Sequence, residues 1–166
     1  PNTYGEIING TDTNKIYYHQ IASNQTWTNN KPHVIYGYVI IEPNAQLDID
    51  PGTDIYFHQN SGIIVGNPFS SQFGGTLKVN GSFNNEVTFQ GDRLDPWYKN
   101  IPGQWDRIRL IPGSIDNEIN YAIIKNGNIG IQIGKCCLEN GSLNGHNIES
   151  PNNRNVEKNW VLFEKD

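Results

Sequence analysis

Six residues whose types can do chemistry crowd into one short stretch: Asp92, Arg93, Asp95, Trp97, Tyr98 and Trp105. Aromatic faces stack on pyranose rings, while carboxylates and guanidinium groups bond sugar hydroxyls, so the stretch reads as a ligand-binding surface for a glycan. The blander alternative makes Trp97 and Trp105 pins that fix a loop, with Arg93 paired locally to Asp92 or Asp95. Hydrolysis of a glycosidic bond needs two carboxyl groups flanking it. Asp92 with Asp95, or Asp48 with Asp50, are the pairs that offer this, the latter about 7 Å apart by strand rise. Outward acids on a strand are ordinarily solvation, and no base accompanied by calcium-binding acids is present, so no catalytic residue is assigned. His19, His33, His58 and His146 lack metal-ligand spacing, and the adjacent Cys136 and Cys137 lack companions for a zinc site. No metal and no cofactor is expected. Adjacent strand residues point to opposite faces, which argues against a bond between the two cysteines and for one buried and one exposed thiol.

The elements that must position these groups are announced by an apolar doublet that recurs: Val39-x-Ile41, Leu47-x-Ile49, Ile55-x-Phe57, Ile63-x-Val65. Each doublet flanks one outward residue, as a strand with one buried face requires. Turn chemistry such as Glu42-Pro43-Asn44 and Asp50-Pro51-Gly52 fills the gaps. The rhythm resumes at Leu77-x-Val79, Val87-x-Phe89 and Ile108-x-Leu110, and Ile119, Tyr121, Ile123, Ile129, Ile131 and Ile133 continue it. Three strands per coil give a repeat of roughly two dozen residues, a solenoid period. The expectation is an all-β, right-handed parallel β-helix, with an antiparallel β-sandwich as the alternative because Asn80-Gly81, Asn126-Gly127 and Asn140-Gly141 also suit hairpins. Residues 1–30 read as an N-terminal cap plugged by Trp27, residues 31–137 as the helix body, and residues 138–166 as a last coil or C-terminal cap. Stacking the doublets in line places Asp48 over Lys78 over Asn120, and Tyr56 over Thr88 over Gly130. Two breaker-rich insertions, 66–75 and 91–104, are expected as surface loops, the second projecting with Trp97 or Tyr98 exposed.

The chain has 166 residues, a net charge of -5 and 17 glycines, which suits short strands and tight turns and excludes the basic clusters that nucleic acid requires. No apolar run approaches the roughly twenty residues of a membrane helix. An opening at Pro1 and the lack of Met imply a processed or trimmed piece of a larger chain. The sequons at Asn9, Asn24, Asn80 and Asn140 are read as products of an Asn-rich composition.

Several stretches in this order resemble the secreted right-handed parallel β-helix proteins of Bacteroidetes-type bacteria, within the broad pectin-lyase-like fold. Trp27 is followed by His33-Val34-Ile35-Tyr36-Gly37-Tyr38-Val39-Ile40-Ile41 and Ala45-Gln46-Leu47-Asp48-Ile49-Asp50-Pro51-Gly52-Thr53. Then come Gly75-Thr76-Leu77-Lys78-Val79-Asn80-Gly81, Gly91-Asp92-Arg93-Leu94-Asp95, Pro102-Gly103-Gln104-Trp105 and Ile119-Asn120-Tyr121-Ala122-Ile123-Ile124-Lys125-Asn126. The resemblance implies export, attachment at the bacterial cell surface or envelope, and a rigid scaffold that binds a glycan or an envelope protein partner. It also implies a second option, since polysaccharide lyases and glycoside hydrolases share this fold.

Overall fold

The computed structural model describes residues 7–8, 11–12, 14–68, 74–134 and 161–163, all in strands, turns and bends. Cys136, Cys137, His146, the sequons at Asn9 and Asn140, most of the 138–166 tail and the centre of the first insertion lie outside the described residues. Fifteen strands follow one another: β1 (Ile7–Ile8), β2 (Thr11–Asp12), β3 (Asn14–Ile21), β4 (Gln25–Trp27), β5 (His33–Ile41), β6 (Gln46–Ile49), β7 (Asp54–Phe57) and β8 (Gly62–Val65). They continue as β9 (Thr76–Asn80), β10 (Val87–Gly91), β11 (Ile108–Leu110), β12 (Glu118–Asn120), β13 (Ala122–Ile124), β14 (Ile131–Ile133) and β15 (Val161–Phe163).

The strands stack in parallel tiers. One sheet of four runs β4, β6, β9, β12. A second sheet, of nine, curls around the core because the long β5 serves two ladders. Its first half pairs with β7, and its second half pairs with β8. From there β7 leads to β10 and β13, and β8 leads to β11 and β14. Val39 therefore lies beside Ile63 in a parallel ladder, where a sandwich would have placed it in a hairpin with the Leu47 strand. Antiparallel pairing is confined, among the described residues, to β1 with β2, β13 with β15 and an isolated bridge.

The doublets fill the interior. Val39, Ile41, Leu47, Ile49, Ile55, Phe57, Ile63, Val65, Leu77, Val79, Val87, Phe89 and Ile108 are fully buried in one apolar cluster. Each such side chain contributes about 1.5–3 kcal/mol relative to exposure. The corners between strands use Asn44, Asn60, Asn84 and Asn126, each in the left-handed region, which asparagine enters with least penalty among residues bearing a Cβ. Asn126-Gly127 accordingly turns a corner between ladders and does not close a hairpin.

Within residues 1–30, β3 runs parallel along β5, and β4 carries the buried Trp27 into a ladder with β6. Two expectations need correction. The outward columns shift by two residues in places: Lys78 lies over Glu118, with Nζ 2.8 Å from its carboxylate, and Tyr56 lies beside Gln90. The period also slips at Tyr121, whose φ of 44° bends the chain, so Ala122 and Ile124 face the core and Ile123 does not. Tyr56 points away from the core yet is only 4% exposed. Val34, Tyr36 and Leu94 cover it, because the second insertion folds back over this outer face.

Candidate functional site

The two-residue shift between β7 and β10 creates the site. Ile55 pairs with Phe89 and Phe57 with Gly91, so the next outward residues, His58 and Asp92, come side by side. Asp92 N bonds the carbonyl of Phe57, and His58 N bonds that of Ile35, which continues the parallel register past the strand ends. Tyr17, Tyr36, His58 and Asp92 thus form one outward column. The Tyr17 and Tyr36 rings stack at 5.2 Å, and Tyr36 lies 5.1 Å from the His58 ring.

His58 Nδ1 lies 2.8 Å from Asp92 Oδ2. With Asp92 as a carboxylate, Nδ1 carries the proton and donates it, leaving the other ring nitrogen, Nε2, unprotonated in the neutral imidazole. Nε2 bonds no described residue. The imidazole is about one third exposed and the Asp92 side chain 3% exposed. Burial pushes the Asp92 carboxyl above its ordinary pKa, against the opposing pull of the His58 hydrogen bond and charge and of Arg93.

The insertion closes a cavity of about 250 Å³ over this pair, walled by His58, Gln59, Asp92, Arg93, Tyr98 and Gln104, with residues 101–103 completing the rim. Arg93 lies over Tyr98, its guanidinium carbon 3.1 Å from the ring centroid, a cation-π contact. Its Nε is 3.9 Å from Asp95 Oδ2, too far for a hydrogen bond, and both atoms are buried without partners. Gln104 Oε1 is a second buried acceptor without a partner, so the loop concentrates unspent polar capacity. Such groups carry a desolvation cost unless a water or ligand meets them.

The loop is pinned by its own polar side chains. Asn126 Nδ2 donates to the carbonyls of Lys99 and Ile101 at 3.1 and 3.0 Å. Gln104 Nε2 donates to the carbonyls of Tyr98 and Ile101, and Gln104 N to that of Asn126. Gly91 makes room for this, since a Cβ there would sit 2.8 Å from Gln104 Cβ.

Of the six residues singled out from sequence, five belong to this loop and one does not. Asp92, Arg93 and Tyr98 line the cavity, and Asp95 sits behind Arg93. Trp97 stands 85% exposed beside Tyr98. Trp105 faces inward, 1% exposed, stacked on Phe57 at 4.1 Å with Nε1 bonding the Lys125 carbonyl. It is a core residue and a pin. The sequence reading missed His58, Gln104 and Asn126. The signal for His58 was the register: pairing Phe57 with Gly91 places His58 on Asp92. The Asp48 carboxylate accepts both bonds from Gln46 Nε2 and lies beside Lys78, away from the cavity.

Among the described residues no group of three or more His, Cys, Asp or Glu is placed to hold a metal ion, and no helix is long and apolar enough to cross a membrane. Comparison of the chain with protein-family models, curated proteins and solved structures yields no match.

Proposed function

We propose that the chain is a right-handed parallel β-helix module of a secreted or surface-attached bacterial protein, and that its insertion loop binds a glycan. The parallel ladders, in which β5 to β11 each lie beside the strand three positions on, support the solenoid reading. The observation that carries the binding reading is the ordered loop. It holds Trp97 in solvent next to a cavity walled by a stacked Arg93 and Tyr98. Leaving a Trp 85% exposed on a pinned loop gains nothing for folding, whereas an exposed aromatic beside convergent polar groups suits a sugar face. At about 250 Å³ the cavity falls below the roughly 300–1,000 Å³ of sites for drug-sized ligands, and suits one sugar ring or a substituent.

A glycan array probed with the intact chain, Trp97→Ala and Arg93→Ala tests this. Retention of at least one glycan by the parent chain, and its loss in both variants with folding unchanged by circular dichroism, is the expected result. Equal retention by all three, or none by the parent, removes the proposal. A second reading, a carbohydrate-active enzyme on the same scaffold, is favoured by one specific observation: His58 and Asp92 meet in the wall of the cavity.

A further inference from the structure

We infer that His58 is a general base that activates water against an acyl ester carried by a bound glycan, with Asp92 as its positioning residue and Arg93 as the stabiliser of the oxyanion. The inference rests on the glycan-binding reading and names the bond attacked.

The chemistry follows from which groups are spent and which are not. Asp92 is committed: its carboxylate sits under His58, fixes the ring and holds the proton on Nδ1. Nε2 is left as a lone-pair acceptor that no described residue occupies, on a residue that lines the cavity. Arg93 is held by the Tyr98 face, and its guanidinium donates no hydrogen bond to any described residue. A fixed cation with free donors, beside a base, is what a developing oxyanion needs. Glycosidic cleavage by the common route asks for two independent carboxyl groups. Here one carboxylate is tied to His58, and the other, Asp95, keeps its Oδ2 buried 3.9 Å from Arg93 Nε and does not line the cavity. Ester hydrolysis asks only for a base, a cation and water. The other charged or aromatic groups around the imidazole are Tyr36 of β5 and, from the loop, Asp92, Arg93 and Tyr98.

In the addition step Nε2 takes a proton from water while the water oxygen bonds the ester carbonyl carbon, and the carbonyl electron pair moves to oxygen facing Arg93. In the collapse step that pair re-forms the carbonyl, the bond to the sugar oxygen breaks, and the sugar oxygen takes the proton back from Nε2. The products are a carboxylic acid and the free sugar hydroxyl. Water is the sole co-reactant, and His58 returns to its starting state.

The test is release of acetate from acetylated xylan and acetylated glucomannan, and of p-nitrophenol from p-nitrophenyl acetate, by the intact chain and its variants. Expected for the parent is release of acetate or p-nitrophenol that grows in proportion to the protein added. His58→Gln, at a partly exposed position, should lower kcat by about 10²-fold or more, the scale of a lost general base, while retaining the glycan. Asp92→Asn should lower kcat more than it changes KM and move the pH profile, which a purely structural role would not do. Arg93→Lys should recover part of the activity that Arg93→Gln loses. No ester cleavage on any of the three substrates, or His58→Gln as active as the parent, overturns the inference. Glycan retention in the same samples separates that failure from failure of the binding proposal.

Discussion

Replacing Asn126 offers the sharpest test of how the loop is held. Its side chain is 4% exposed, it donates two hydrogen bonds to loop carbonyls, and its φ is 66°. Two substitutions separate those contributions. Asn126→Gly keeps the left-handed backbone and removes both bonds. Each neutral bond contributes about 0.5–1.5 kcal/mol net. The Ile101 carbonyl keeps its bond from Gln104, so the loss should lie near the low end, about 1–2 kcal/mol. Asn126→Ala removes the same bonds and also loses the short polar side chain that eases asparagine into the left-handed region, at a further cost of about 1–2 kcal/mol. Alanine should therefore lower the stability by about 2–4 kcal/mol, and glycine by about half of that. Urea unfolding followed by far-UV circular dichroism, with a common slope for all three proteins, measures both differences. Equal stability of the glycine and alanine variants would refute the backbone part of the argument. A glycine variant as stable as the parent would refute the pinning role of the amide.

Ile55→Asp buries a carboxylate without a partner and should cost several kcal/mol or prevent folding. Tyr56→Ala, although on the outer face, should cost about 2–4 kcal/mol because Val34, Tyr36 and Leu94 cover the ring; a loss below about 0.5 kcal/mol in urea unfolding would show that the cover is not packed. Burial raises the Asp54 pKa, against the Thr88 hydrogen bond and the Lys125 charge. The folded state then binds more protons than the unfolded chain as pH falls toward the ordinary carboxylate range, so Asp54 contributes stability at low pH that is lost as pH rises through its folded pKa. Asp54→Asn should raise stability at pH 7 and flatten that slope in a pH series of unfolding curves, and a steeper slope would contradict it. Gly62→Ala would drive a Cβ into the backbone carbonyl of Arg107 in the next tier, so it should lower the melting temperature strongly, whereas a neutral result would mean the β8 to β11 spacing is wider than described.

The inward residues were legible because a two-residue alternation leaves little choice: a doublet such as Ile63-x-Val65 can bury only one face. Which residue of one tier lies over which of the next was not legible, because the doublets look alike and sliding one by two positions still buries the same side chains. The slide is decided by Gly91, whose missing side chain admits Gln104, and by Trp105, which fills the space above Phe57. Both depend on where a long insertion returns, which local pattern does not encode. For the same reason Asp92, Arg93 and Tyr98 were recognisable as a cluster while His58, thirty-four positions earlier than Asp92, was not. Alternation makes Tyr56 outward, but its burial was not legible, since only the folded loop covers it.

The uneven spacing of the tiers also bears on the order in which the chain assembles. Val39 meets Ile63, 24 positions on, whereas Ile63 meets Ile108, 45 positions on. Closing the longer connection costs only about 0.6 kcal/mol more in chain entropy, so equilibrium stability scarcely registers it. Rates register such separations more strongly. The ladders joining β5 to β3, β7 and β8 close circuits of about 19 to 24 positions, near half of the 45 that separate Ile63 from Ile108, which makes them the natural nucleus. The tier above can add only after residues 91–104 have found their place, so the candidate site matures late, on a base already formed. Substitutions at Val39 or Ile63 should then slow refolding, while substitutions at Leu94 or Gln104 should chiefly hasten unfolding.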